Sequence, residues 1–311
     1  MPTTNPTEPA PVEFPRVLVL LATFNGERWL DEQLDSIFGQ QRVRVTVLAA
    51  DDGSSDGSIA LVQRRASAGL AVQALPAADR QLGAAGNFLR LLREAPLDGF
   101  DFVALADQDD IWLPERLVRA IEQLASNRAD GYSSDATAFW PDGRQRRLGK
   151  AHPQRAFDHL FEPAGPGCTY VLGRSLAQAV QAELRCNPQR FEGIGYHDWW
   201  IYAFARARRF TWHIDPEPTV MYRQHGSNEL GANFGLKAMA RRWGRLTSGW
   251  YRDQIVRIAS PWPDCHAEVL HRLQRFAWRD RVWLALRSRH MRRRPRDQVA
   301  LATMLLLGIL R

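Results

Sequence analysis

Cysteine is scarce in this 311-residue chain: Cys168, Cys186 and Cys265 are the complement, and none sits in a C-x-x-C pair. Three thiols cannot build a disulfide framework, which points to a reducing compartment and argues against a structural zinc site. Lysine is scarcer still. Lys150 and Lys237 are the only two, so the rest of the 41 basic residues are arginine. Long hydrophobic runs are missing as well. No segment approaches the ~20 apolar residues that a membrane-spanning helix requires. The nearest, Val299 to Leu310, is interrupted by Thr303 and Gly308 and suits a buried or interfacial helix. No internal repeat is visible. Met1 to Pro15 has no apolar core, which excludes a secretory signal, and its Pro/Thr content reads as a disordered tail.

What remains is the composition of a globular protein, with 45% hydrophobic and 24% charged residues. Wholesale disorder and collagen-like structure are thereby excluded. The net charge of +7 suggests an anionic partner: a nucleotide-charged substrate, an acidic membrane face or nucleic acid.

From Arg16 onward, short apolar runs alternate with amphipathic segments. Val17 to Ala22, Val43 to Leu48 and Phe102 to Ala106 are runs of the kind buried in parallel sheets. Helical patterns follow each of them: one carrying Leu30, Leu34 and Ile37, one from Asp56 (read as its N-cap) to about Ala68, and one after Pro114. The alternation predicts an α/β domain with a mainly parallel sheet and helices on both faces, over residues 16–230. β-like segments are expected at Tyr132 to Trp140, around Thr169 to Leu172, and at Phe210 to Ile214 and Thr219 to Arg223. A helix is expected from His197 to Arg208. Beyond Gly231 the chain turns helical, arginine-rich and tryptophan-studded, forming an extension over 231–311.

Polar residues gather where the predicted strands end, the place where open α/β sheets bind ligands. Asp107-Gln108-Asp109-Asp110 places three carboxylates within four residues. Such a cluster either holds a hard divalent cation, Mg²⁺ or Mn²⁺, or caps the following helix from a solvated loop. Asp51 to Asp56 ends another strand, where Asp51 or Asp52 either makes a turn or accepts hydrogen bonds from a base or ribose. In His197-Asp198-Trp199-Trp200, Asp198 is either a general base beside sugar-stacking tryptophans or a cap over a tryptophan core. Arg223 and His225 suit a diphosphate and a metal respectively.

In this order, the segments resemble family 2 glycosyltransferases of the GT-A fold. The likeness runs through Ala22 to Glu27, Leu30 to Ile37, Asp51 to Asp56, Gly83 to Phe88, Asp107 to Glu115, His197 to Trp200 and Tyr222 to Asn228, and covers roughly 16–230. Asp-Gln-Asp-Asp-Ile-Trp followed by His-Asp-Trp-Trp is most similar to the bacterial rhamnosyltransferase-like branch, which builds surface polysaccharides. The resemblance implies a donor site with Phe24 and Asp52 at the nucleotide base, and with Asn87, Asp107 and Arg223 nearby. It implies Asp109 and His225 as metal ligands, Asp198 as the base, and Trp199 and Trp200 at the acceptor. The Gly165 to Thr169 loop resembles the segment before the acceptor pocket. One base with no second nucleophilic carboxylate implies a single displacement with inversion. The expected donor is dTDP-rhamnose, with UDP-hexose or UDP-N-acetylhexosamine as the alternative, and the acceptor is a glycan or a lipid-linked sugar.

In the extension, Arg241-Arg242, Arg279/Arg281 and Arg292-Arg293-Arg294 alternate with Trp243, Trp250, Trp262, Trp278 and Trp283. This composition suits helices lying on anionic lipid, and equally a solvated face over a tryptophan-rich core. With the lipid-linked acceptor, it predicts a cytoplasmic protein held at the cytoplasmic face of the inner membrane. The rival from another class is a non-catalytic basic protein that binds membrane or nucleic acid. Acids gathered at the strand ends repel phosphate backbones and count against nucleic acid.

Overall fold

The structure, a computed structural model, describes residues 13–225, 244 and 248–310. The expected tail up to residue 12, Gly226 to Asn228 of the last motif, Lys237, Arg241-Arg242 and Trp243 lie outside the described residues.

β1 (Arg16–Thr23), β2 (Arg44–Asp51), β3 (Val72–Ala74) and β4 (Phe102–Asp107) come from the predicted apolar runs and the segment between them. Together with β6 (Gly131–Ser134), β9 (Val171–Gly173) and β10 (Trp212–Asp215), they form a seven-stranded sheet of order β10-β6-β9-β4-β1-β2-β3. Only β9 runs against its neighbours. β5 (Ile111–Trp112), β7 (Ala136–Phe139), β8 (Gln145–Leu148) and β11 (Val220–Arg223) make a second sheet of order β5-β11-β7-β8. The sequence reading did not separate this sheet, because β5 is a two-residue strand whose only partner, β11, is over a hundred residues away.

Alternate residues of β1 explain the layers, since successive strand side chains point to opposite faces. Val17, Val19 and Leu21 join one core with α1 (Glu27–Phe38), α2 (Ser58–Ser67) and α4 (Arg116–Ser126). Leu18 and Leu20 join the other, with α3 (Gly83–Glu94), α6 (Arg174–Cys186) and α7 (His197–Ala207). α2 is capped by Gly57 rather than Asp56, whose carboxylate accepts the Ser58 amide at 3.0 Å from one residue further out.

α5 (Asp158–Phe161) ties the layer of α3, α6 and α7 to the extension, which consists of α8 (Trp250–Ala259), α9 (Pro263–Arg275), α10 (Trp278–Leu286) and α11 (Pro295–Leu307). Ile255, Ile258, Leu273, Leu284, Leu301 and Leu305 belong to the same core as Leu18 and Leu20. The extension therefore packs on the layer of α3, α6 and α7. Its arginine cluster is inward-facing, contrary to the lipid-facing expectation. Arg293 is 2% exposed; it donates to Asp158 Oδ2 at 3.1 Å and to the Pro163 carbonyl at 2.6 Å. Burial pushes the Asp158 carboxyl upward, but its contacts with His159, Arg293 and Arg206 outweigh this and hold it below the usual range. Val299, Leu306 and Leu307 of α11 point outward, as do Trp278 and Leu286 of α10. No described helix is long and apolar enough to cross a membrane.

Candidate active site

Strand register decides where the polar loops meet. Thr23 pairs with Asp51 and Ala22 with Asp107, so β1, β2 and β4 end level and their loops share one edge of the sheet. Gln108 then clasps the β1 loop. Its Oε1 accepts the Phe24 amide at 2.7 Å and its Nε2 donates to the Phe24 carbonyl at 2.9 Å. Gly26 permits this approach, because a Cβ there would lie 2.2 Å from Gln108 Oε1. The ring of Phe24 stays 44% exposed.

Asp51 serves the turn itself, accepting the Gly53 and Ser54 amides at 3.0 and 2.7 Å. Asp52 is buried, and its two oxygens accept the Leu82 and Gly83 amides at 2.7 and 2.8 Å. It anchors the start of α3, where amides are left without helical partners, instead of pointing freely at a base. Asn87, one turn along α3, is 1% exposed and donates to the Ala50 carbonyl at 2.7 Å. It lies beneath the donor side and supports it without reaching its surface.

The carboxylate loop is braced from two directions. Gln33 of α1 donates to the Asp107 carbonyl at 2.9 Å, and Ser36 Oγ accepts the Trp112 amide at 3.1 Å. Arg223 of β11 donates its amide to Asp110 Oδ1 at 3.2 Å and its Nε to the Asp109 carbonyl at 2.8 Å, while Nη2 meets Glu32 at 2.5 Å. Arg223 was expected on a diphosphate; the structure uses its guanidinium to hold the loop that bears the acids.

His225 Nε2 lies 2.6 Å from Asp109 Oδ2, and its ring stacks on Trp29 at 4.0 Å. Trp29, absent from the sequence reading, is what fixes the imidazole over the loop. Asp107, Asp110 and Cys168 also bring ligand atoms within 4.8 Å of one another. That trio is a poor cage for a hard cation. Burial, then Asp109 and Asp107, push the Asp110 carboxyl well above its ordinary value, and burial with Asp110 does the same to the Cys168 thiol. Asp109 and His225 offer carboxylate and imidazole donors side by side, a set that fits a divalent transition ion.

Asp198 occupies the first turn of α7. A Cβ on Gly167 would lie 2.4 Å from His197 Nε2 and 3.3 Å from Asp198 Cβ, so the loop must pass bare at that point. Burial pushes Asp198 up to about 6, against the Trp199 amide, which it accepts at 2.7 Å, and the Lys150 charge. Burial alone drives His197 down to about 3, so its ring is neutral, stacked on Phe88 at 4.0 Å.

The tryptophans behind Asp198 do not reach the acceptor. Trp199 and Trp200 are 2% and 1% exposed. Trp199 stacks on Tyr251 of α8 and donates Nε1 to the His159 carbonyl at 3.0 Å, and Trp200 packs on Phe191, Phe204 and Trp262. With no face left for a sugar, they weld α7 to the extension and so fix Asp198 from behind.

Residues 18–173 match the family model described as Glycosyl transferase family 2. The chain belongs to glycosyltransferase family 2. This glycosyltransferase is 37% identical over 290 residues to the dTDP-rhamnosyl transferase RfbG of Shigella flexneri, covering 93% of this chain and 100% of the relative. Among solved structures it resembles S. aureus TarS 1–349 in complex with UDP-GlcNAc, with a TM-score of 0.51 at 14% identity, covering 95% and 89% of the two chains. It also resembles the mannosyltransferase PcManGT from Pyrobaculum calidifontis in complex with GDP-Man and Mn²⁺, with a TM-score of 0.54 at 19% identity, covering 97% and 76%. At those identities the likeness concerns the fold, which is the expected GT-A arrangement with a helical C-terminal region.

Proposed function

We propose that this glycosyltransferase moves rhamnose from dTDP-rhamnose to a hydroxyl of a glycan or lipid-linked acceptor, with inversion, in surface polysaccharide synthesis. Asp198 carries the reading: a carboxylate with a pKa of about 6 beside a stripped loop, on a fold whose strand-end acids are already fastened in place. An acceptor hydroxyl is far too weak an acid to attack unaided, so a carboxylate ionised at neutral pH must take its proton as the new bond forms. Asp198 does this at the face of the anomeric carbon opposite the leaving diphosphate. Among the described residues no second carboxylate is assigned as a nucleophile, which favours a single displacement.

On the donor side, the exposed ring of Phe24 offers a stacking surface for the base, over a floor held by Asp52 and Asn87. Asp109 and His225, with Asp107 beside them, would hold the divalent cation, and the imidazole favours Mn²⁺ over Mg²⁺. When bound, such an ion neutralises charge developing on a leaving diphosphate. The donor sugar rests on the similarity to RfbG. The outward apolar side chains of α10 and α11, with exposed Arg279, Arg289 and Arg296 nearby, support docking on an anionic membrane at the cytoplasmic face.

The test is calorimetric titration with dTDP, UDP and GDP, with and without Mn²⁺, on the wild type and Asp109→Ala. Metal-dependent dTDP binding that disappears in the variant is expected. A preference for UDP would move the donor to a UDP-hexose or UDP-N-acetylhexosamine. Failure to bind any of the three overturns the reading.

A further inference from the structure

A small cavity lies where the end of β8 meets the start of α11, lined by Lys150, His152, Glu162, Arg293, Arg294 and Asp297. Its charges do not balance. Glu162 is engaged by the Arg293 amide at 2.7 Å and lies within 4 Å of the Arg292 and Arg293 guanidiniums; Asp297 sits as close to Arg292 and Arg296. That leaves two cations over. Among the described residues, the Lys150 ammonium has no hydrogen-bond or ion-pair partner. Arg294 uses only its Nε, which donates to His152 Nε2 at 2.8 Å and so keeps that ring an acceptor, leaving both Nη groups without partners. Burial drives Lys150 down to about 8; Glu162 opposes the drop and Arg292, Arg293 and Arg294 add to it. Lys150 and Arg294 thus present donors at the cavity that no described side chain takes up, and an anion is what they fit.

The position says which anion. The Lys150 amide donates to Asp135 Oδ1, the adjoining Ser134 carbonyl would lie 3.1 Å from a Cβ on Gly165, and a Cβ on Gly167 would lie 3.3 Å from Asp198 Cβ. The Gly165 to Thr169 loop thus runs from the side of the cavity to the base, whose pKa the Lys150 charge lowers. In an inverting displacement the base and the acceptor stand opposite the donor's diphosphate. We propose that Lys150 and Arg294 form an anion site for a phosphate or diphosphate group of the acceptor, separate from the site for the donor's diphosphate. The inference rests on the transferase reading above. The cavity measures about 10 Å³, room for one oxygen-sized group, so a phosphoryl oxygen enters while the rest stays at the mouth.

The probes are inorganic pyrophosphate and a short prenyl diphosphate, titrated into full-length protein already saturated with dTDP and Mn²⁺. Variants are Lys150→Gln, Arg294→Gln and the conservative Lys150→Arg, with thermal melts to confirm folding. One diphosphate per chain is expected, weakened tenfold or more by each Gln variant and largely restored by Lys150→Arg, with dTDP affinity unchanged throughout. Tighter binding of the prenyl compound assigns a lipid carrier, and equal binding assigns the diphosphate alone. Absence of diphosphate binding, or binding untouched by both Gln variants, overturns the proposal. If dTDP itself fails to bind, the transferase reading fails instead. The Lys150 site is then still read by comparing pyrophosphate binding to the Gln variants with that to Asp109→Ala.

Discussion

The two sides of the site are built on opposite rules. On the donor side the acids are fastened: Asp51 and Asp52 by backbone amides, Asp110 by the Arg223 amide, Asp109 against His225. On the other side, Asp198 accepts one hydrogen bond among the described residues, from the next amide in its own helix, and His197 Nε2 has none. A carboxylate whose oxygens are taken up by fixed donors is held in place, with less room to accept a proton from a substrate. One that is desolvated and sparsely bonded is the better base. The comparison assigns roles by hydrogen-bond supply, independently of any motif.

Asp198→Asn breaks the comparison most directly. Loss of a general base costs about 10²–10⁴-fold in turnover, and kcat should fall by that much while dTDP affinity stays at the wild-type value. The same substitution should stabilise the fold at neutral pH. Holding a carboxylate whose pKa rises from 3.8 to about 6 costs at most about 3 kcal/mol when it is ionised. A chemical denaturation series at pH 7.5 measures this. A variant less stable than the wild type would mean that Asp198 is a structural cap.

Gly167→Ala attacks the same side through geometry. The new methyl group meets His197 Nε2 at 2.4 Å, and relief requires the start of α7 to move. Displacement of a reacting group by about 1 Å costs on the order of 10²-fold. We expect kcat to drop 10- to 100-fold, with a smaller loss in nucleotide titrations because Asp51 and Asp52 are held by amides of residues 53, 54, 82 and 83 rather than by the Gly167 turn. Equal losses on both measures would show that the two sides are one mechanical unit.

What the sequence discloses follows the same division. Strand ends were legible because buried parallel strands are continuous apolar runs that stop abruptly at Asp51 and Asp107, and register then aligns them. The acids were legible as acids, but their partners were not. Nothing local in Asp52 announces that residues 82 and 83 will occupy its oxygens, and Arg223 reads as a phosphate ligand until β11 lays it against the Asp109 carbonyl. The Trp199-Trp200 pair illustrates the limit: two tryptophans at a helix start look the same in sequence whether they face sugar or core. Only the arrival of Tyr251 and Trp262 from the extension decides. Gln33 lay within a recognised segment without a role and Trp29 just outside one, since bracing a loop some seventy or two hundred residues away leaves no spacing to read.

The smallest effect is the one that separates charge from packing, because pH titrates Asp198 without altering a side chain. With a pKa of about 6, the carboxylate is roughly one-tenth ionised at pH 5 and nine-tenths ionised at pH 7, so kcat should rise about tenfold between them and then level. Its stability effect has the opposite sign. A raised carboxyl pKa gives a contribution that is whole below pH 3.8 and is lost as pH climbs through 6, so the stability gap between Asp198→Asn and the wild type should open over that interval. Asp158 works the other way. Held below the usual range, it contributes above that range and loses its contribution as pH falls. Activity and the gap to Asp198→Asn should therefore rise together through pH 6, while acid unfolding follows Asp158 and is unchanged in Asp198→Asn. A flat pH–rate profile between 5 and 7 would remove the proton-accepting role from Asp198 and leave its burial without a function.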